Sequence, residues 1–219
     1  MGKADLNSPA LQAFIARAHK RTLGPKYAIV RAGDEPNALY LILEGSVSVV
    51  IEDTDGREIV LAYLSPGDFF GEMCLFPDQK TRTAGVRSRT ATLLAEMGYL
   101  AFRAFNNEYP EIMFDVAGQL AMRLRETSRR LSDLAFLDVA GRVSHALHRL
   151  MRMPDSKTSP RGTTVRVSRQ ELARIVGCSR EMAGRVLKRL EDDGVITCQG
   201  RSVLVYGDGE KLFVPHQPP

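Results

Sequence analysis

The chain of 219 residues has no tryptophan, three cysteines and four histidines. Cys74, Cys178 and Cys198 form no C-x-x-C pair, which excludes a disulfide framework and the common zinc spacings. No apolar run approaches the ~18 residues of a membrane span. Met1 to Leu6 lacks the charged-then-apolar layout of a secretory signal. Met1-Gly2 meets only part of a myristoylation motif, because Leu6 stands where Ser or Thr is needed. No Walker loop or nucleophile–base pair is present. A metal-dependent barrel enzyme of the cupin kind needs two or three histidines within its strands. None of the four histidines, His19, His145, His148 and His216, is expected in the strand region, so that reading fails. His145 and His148 share a helix face but lack a third ligand. These absences predict a soluble, cytoplasmic protein that is not an enzyme and needs no metal.

What is present is a core and a charge asymmetry. With 44% hydrophobic and 26% charged residues, the chain is neither disordered nor fibrous. Its length fits one or two domains. Residues 1–138 hold 16 Lys+Arg against 18 Asp+Glu, a balance of −2. Residues 139–219 hold 14 against 8, a balance of +6. The basic C-terminal third is either a surface for a polyanion or a solvated face.

The first half carries short strands, Ala38 to Leu43, Ser46 to Ile51 and Glu58 to Tyr63, with Asp55-Gly56 as a hairpin turn. Turn glycines recur every 11 or 12 residues, at 33, 45, 56 and 67. Even spacing of this kind predicts a double-sheet roll. Beyond Pro110 the period changes. Met113, Ala117, Leu120, Leu124, Thr127, Leu131 and Leu134 follow at intervals of 4, 3, 4, 3, 4 and 3, on a helix of some 25 residues. Such a stripe packs on its own domain or on a partner helix, and its length favours a homodimer. Thr127, with Ser128 beside it, breaks the stripe with hydroxyls. Either Thr127 bonds back to its own helix or it meets a ligand lying against the seam.

A break at Ala135 to Asp138 precedes a helix from Val139 to about Met153, a surface loop over Pro154–Gly162 and a strand at Thr164–Val167. Ser168 and Glu171 form a capping box that starts a short helix at Arg169. Gly177 ends it, and Ser179 caps a second helix from Arg180 to Leu190. Leu172, Val176, Cys178, Ala183 and Val186 are expected to face inward, with Ala173 where the two helices approach. This is the layout of a helix-turn-helix. Arg180, Glu181, Gly184, Arg185, Lys188 and Arg189 form the outward face, suited to base edges in a major groove. Arg169, Ser179 and Arg201 are placed for phosphates. The hairpin from Val195 to Tyr206, turned at Gln199-Gly200, adds a wing, and residues 207–219 read as a loose tail.

In the roll, Gly71, Glu72 and Met73 lie close to Arg82 and Thr83. Glu72 can accept from a sugar hydroxyl, Arg82 offers a fork to a phosphate and Thr83 adds a donor. From these residues alone the alternative is a salt bridge between Glu72 and Arg82.

The stretch from Val167 to Lys188, VSRQELARIVGCSREMAGRVLK, resembles the Crp/Fnr family of bacterial regulators, as do Leu134 to Val139 and Gly45 to Val47. The resemblance runs to about Gly207. It implies an α+β fold, with a cyclic-nucleotide-binding β-roll over 1–110, a central dimerisation helix and hinge over 111–137, and a winged helix-turn-helix over 138–219. It also implies cyclic AMP as effector, a palindromic site on double-stranded DNA, and RNA polymerase as partner. Gly71, Glu72, Met73, Arg82 and Thr83 fall on the family's phosphate cassette, Thr127 on the position meeting the adenine, and Ser128 on the one given by the partner subunit. Relatives with an acidic residue at position 83 respond to cyclic di-GMP, so Thr83 favours cyclic AMP. The family's iron–sulfur branch needs a cysteine cluster before Cys74, which is missing, and its haem branch a histidine just after Cys74, where Phe76 and Pro77 stand. Cys74 and Cys178 are expected to pack as small apolar residues. Thr158 falls on the family's main polymerase-contacting position. His19, Arg21 and Glu96 fall on a second region, where Ala101 departs from the usual lysine. Glu52 to Asp55 and Glu58 form an acidic third.

Overall fold

A computed structural model describes residues 4–76 and 80–213. The chain divides into two compact units, Met1–Thr127 and Ser128–Pro219, with the division inside a single long helix.

The first unit opens with α1 (Pro9–Arg17), which the sequence reading did not anticipate. Ser8 caps it by accepting from the Leu11 N–H, and Pro9 takes a first-turn position where its missing N–H costs nothing. Eight strands follow: β1 (His19–Leu23), β2 (Ala28–Val30), β3 (Ala38–Glu44), β4 (Val47–Glu52), β5 (Glu58–Leu64), β6 (Phe69–Phe70), β7 (Gly85–Ser88) and β8 (Thr92–Gly98). They form two four-stranded antiparallel sheets, ordered β1-β8-β3-β6 and β2-β7-β4-β5. The turn glycines 33, 45, 56 and 67 all carry positive φ. Gly56 joins the paired strands β4 and β5, while the other three turn the chain from one sheet to the other. In β3 five successive residues are buried because the strand serves two cores. Leu39 and Leu41 join Phe14, Phe69 and Phe102 under α1, while Tyr40 and Ile42 join Val47, Phe70 and Leu94 inside the roll.

Two helices close the unit, α2 (Tyr99–Glu108) and α3 (Ile112–Phe136). The 25 residues of α3 match the expected length. Its first half buries Ile112, Val116 and Gln119, and its Met113 and Leu120 lean on the same core. The predicted 4-3 stripe is therefore used in part on the helix's own domain. Farther along, Leu124, Leu131 and Leu134 are 69%, 68% and 55% exposed, a seam with no cover in a single chain.

The second unit contains α4 (Val139–Met151), β9 (Lys157–Ser159), β10 (Gly162–Arg166), α5 (Arg169–Val176), α6 (Arg180–Asp192), β11 (Ile196–Gln199) and β12 (Ser202–Tyr206). Its sheet runs β11-β12-β10-β9. Ser168 and Ser179 cap α5 and α6 as predicted, accepting from the N–H groups of Glu171 and Met182. Gly177 ends α5 at φ 67°, ψ 54°, and its N–H reaches the Ala173 carbonyl.

Three expectations are corrected. The loop at 154–162 contains β9, which pairs with β10, so Thr158 sits on a hairpin. In α6 the inward residues are Ala183, Leu187 and Leu190, while Val186 is half-buried. A step of four residues returns closer to the same helix face than a step of three. The segment after Gly207 is not loose throughout, since Glu210–Phe213 forms a 3-10 turn that buries Leu212. Residues 214–219 of the predicted tail lie outside the described residues.

Candidate functional site

A cavity of about 360 Å³ opens in the first unit, within the size range of small-ligand sites. Gly71, Glu72, Met73, Arg82, Thr83 and Thr127 all line it. Ser128 is exposed and lies outside this lining. Val30, Val49, Leu64, Val86 and Leu120 give the wall its apolar character.

The charged pair expected from the sequence as one alternative does not form. Glu72, 5% exposed, pairs instead with Arg123 of α3, whose Nη1 lies 2.6 Å from Oε1. Arg123 also donates to the Phe69 carbonyl, and Gln119 bridges the Phe69 N–H and the Gly67 carbonyl at 2.8 Å each. The first half of α3 is thereby tied to the strand that leads into the cavity.

Arg82, 6% exposed, is held by neutral acceptors. Its Nη2 donates to the Ala38 carbonyl (2.8 Å) and its Nη1 to the Tyr99 hydroxyl (2.8 Å) and the Gly71 carbonyl (3.3 Å). The Tyr99 hydroxyl in turn donates to the same Gly71 carbonyl at 2.7 Å. Burial pushes the Tyr99 phenol well above its ordinary range, with Arg82 opposing, so it stays a neutral donor. No carboxylate among the described residues pairs with Arg82. A guanidinium has five N–H donors and three of its bonds here go to the protein, which leaves donors for a ligand.

Thr83 is exposed at the cavity, its hydroxyl 3.7 Å from the Met73 sulfur. Cys74 lines the wall beside them, half-buried. Arg123 and Tyr99 were not singled out from the sequence. Each acts across a long stretch of chain, 51 residues from Arg123 to Glu72 and 17 from Tyr99 to Arg82, and no local pattern marks such a pair.

In the second unit Arg169, Ser179, Arg180, Glu181, Arg185, Lys188 and Arg189 are all exposed, and Gly184 is half-buried. A Cβ on Gly184 would meet Cδ of Arg169 at 3.6 Å, so the arginine stem crosses α6 there. Lys188 is turned along its helix toward Asp192, 2.8 Å away. Gln199 pairs with Ser202, which leaves Gly200 and Arg201 at the wing tip, Arg201 exposed. Cys178 is half-buried in the turn, and burial pushes its thiol pKa up, which disfavours the thiolate.

Among the positions suggested for polymerase, Thr158 is exposed on β9, its hydroxyl 3.4 Å from that of Thr163. Contrary to the expectation that no histidine lies in the strands, His19 begins β1 and stands opposite Glu96 in the β1–β8 ladder, and Arg21 forms an ion pair with Glu96 at 2.9 Å. Among the described residues no His/Cys/Asp/Glu group could hold a metal ion, and no helix is long and apolar enough to cross a membrane.

Comparison with known proteins falls on the same two regions. Residues 20–109 match the cyclic nucleotide-binding domain, and residues 165–196 match the crp family of bacterial regulatory proteins. The cAMP-activated global transcriptional regulator Vfr of Pseudomonas aeruginosa is 44% identical over 200 residues, covering 90% of this chain and 94% of that protein. The cAMP-activated global transcriptional regulator CRP of Escherichia coli is 42% identical over 199 residues, covering 91% and 95%. A solved structure of the c-di-GMP-responsive global regulator CLP of Xanthomonas campestris matches with TM-score 0.84 at 43% identity, covering 90% of this chain and 98% of that one. With a cyclic nucleotide-binding roll joined through one long helix to a winged helix-turn-helix, the chain belongs to the Crp family of bacterial transcription regulators.

Proposed function

We propose that the protein is a homodimeric, cyclic-AMP-responsive transcription regulator of the cytoplasm that binds its nucleotide without converting it. Residues 1–110 hold the nucleotide, 111–137 form the dimer helix and hinge, and 138–219 bind a palindromic DNA site. One observation carries this reading. Arg82 is a buried cation facing a cavity, its hydrogen bonds among the described residues going to neutral oxygens, and a charge so placed calls for an anion. A cyclic phosphate supplies one negative charge to Arg82 and Thr83. Glu72, oriented by Arg123, accepts from the ribose hydroxyl. Gly71 and Met73 shape the approach, Thr127 meets the base, and Ser128 of a second copy completes the site.

Nucleotide held against α3 selects a dimer arrangement that sets two α6 helices into successive major grooves. Arg180, Glu181 and Arg185 read bases, while Arg169, Ser179, Lys188 and Arg201 hold the backbone. Thr158, with His19, Arg21 and Glu96, offers contacts to RNA polymerase. A second reading, cyclic di-GMP as effector, is favoured by the likeness to CLP. That ligand brings a second phosphate and two guanines, and Thr83 weighs against it.

Titration calorimetry with cyclic AMP, cyclic GMP and cyclic di-GMP tests the proposal. Cyclic AMP binds one per chain, and Thr83→Val weakens it about tenfold or more, the worth of a hydrogen bond to a charged group. Heat from cyclic di-GMP alone, or from no nucleotide, overturns it.

A further inference from the structure

The connection between α3 and α4 is two residues long, Leu137 and Asp138. A link this short limits the directions α4 can take but does not select one, and polar side chains make the selection. Arg142, His145 and Arg149 follow at steps of three and four and therefore share one stripe of α4. Nδ1 of His145 lies 3.0 Å from Oδ1 of Asp133, near the end of α3. Nη1 of Arg149 donates to Oδ2 of the same carboxylate at 3.4 Å. Each Asp133 oxygen is thus engaged by a different residue of α4, and the Asp133 side chain is 12% exposed. Arg142 continues the row. Its Nη1 donates to the Leu137 carbonyl and its Nε to the Val176 carbonyl at the end of α5, both at 3.0 Å.

The two sides of α4 are held by different forces. Val143, Ala146, Leu147 and Leu150 bury an apolar face, with α5, α6 and β10 packed on the helix. That attachment is large and non-directional. The attachment to the end of α3 includes directed bonds around one largely covered carboxylate, which is costly to leave unpaired. A helix fixed to the DNA-binding elements by packing, and to α3 by polar bonds, turns those elements whenever the polar bonds are re-aimed.

We propose that Asp133 is a positioning residue which, through His145 and Arg149, sets the direction of α4 at the end of α3 and so carries a change in α3 to the helix-turn-helix. The inference rests on the reading that nucleotide controls DNA affinity, and its test separates the two.

In the full-length protein, Asp133→Leu removes the carboxylate while keeping the same number of side-chain heavy atoms in a larger side chain, and Asp133→Asn keeps one acceptor at nearly constant volume should the leucine variant fail to fold. Backbone hydrogen exchange reads the positioning directly, without nucleotide. The N–H groups over 139–145 exchange about tenfold faster or more in the variant while overall helicity is unchanged, as expected for the loss of two charge-assisted bonds. Calorimetry finds cyclic-AMP affinity within about twofold of the parent, because the cavity is untouched. The factor by which cyclic AMP raises DNA affinity falls about fivefold or more, and Asp133→Arg combined with Arg149→Asp restores it in part. Unchanged exchange together with an unchanged factor overturns the inference. A parent protein whose DNA affinity ignores nucleotide overturns the function reading instead, and the exchange result still decides the role of Asp133.

Discussion

A Cβ built on Gly71 would lie 2.6 Å from Nη1 of Arg82 and 2.9 Å from the Ala38 carbonyl oxygen, while Nη1 donates to the carbonyl of Gly71 itself. The glycine and the arginine therefore occupy space that each leaves for the other. Residue 71 also holds φ at 86°, a region that disfavours any side chain. Gly71→Ala is expected to destabilise the protein by about 1–3 kcal/mol. It also weakens cyclic AMP about tenfold or more by displacing the guanidinium. Thermal melting and calorimetry check the two effects, and an alanine variant that binds like the parent removes Arg82 from its proposed place.

Tyr99 supports the same guanidinium from α2. Tyr99→Phe keeps the ring and deletes the hydroxyl that accepts from Arg82 and donates to Gly71. The expected loss is about 2- to 10-fold in cyclic-AMP affinity, from one or two net hydrogen bonds. Retention of full affinity shows that the carbonyls alone orient Arg82.

The exposed seam residues of α3 predict the assembly state. Leu124 and Leu131 are both more than two-thirds exposed in the single chain. Glutamate at both positions is expected to convert a dimer at micromolar concentration into a monomer, read by sedimentation, because like charges then face each other in the seam. A parent that sediments as a monomer contradicts the dimer.

His148 predicts a pH dependence of stability. Burial, then the charge of Arg152 and the neighbouring His145, push its pKa below the ordinary range, with Asp208 opposing. The unfolded chain then takes up the proton more readily than the folded one. The stabilising contribution is complete above the unfolded value of about 6.5 and is lost as pH falls from there toward the folded value. The urea midpoint drops with acid over that window, and His148→Gln flattens the drop. An unchanged slope assigns it to other groups.

How much of this was legible in the sequence varied with the range of the interaction. Turn glycines, caps and the helix-turn-helix are local: Ser168, Gly177 and Ser179 act on neighbours a few residues away, and they do what their spacing predicts. Gly71, Glu72, Met73, Arg82 and Thr83 stand close together in the sequence, and all of them line one cavity. The choice between Val186 and Leu187 failed because two adjacent apolar residues leave the helix phase ambiguous by one position. Arg123 and Tyr99 could not be read at all, since their meaning comes from where α3 and α2 return to the roll. β9 was missed because the exposed Lys157-Thr158-Ser159 has no apolar alternation and is a strand only through pairing with β10.

The central claim is that a nucleotide held by Arg82 governs attachment to DNA. Fluorescence anisotropy on a labelled duplex selected from a random-sequence pool tests it directly, titrating protein with and without saturating cyclic AMP at fixed salt. The predicted result is a rise in DNA affinity of about tenfold or more with cyclic AMP, reduced at limiting nucleotide by Thr83→Val. Equal affinity in the presence and absence of cyclic AMP, or a change only with cyclic di-GMP, contradicts it.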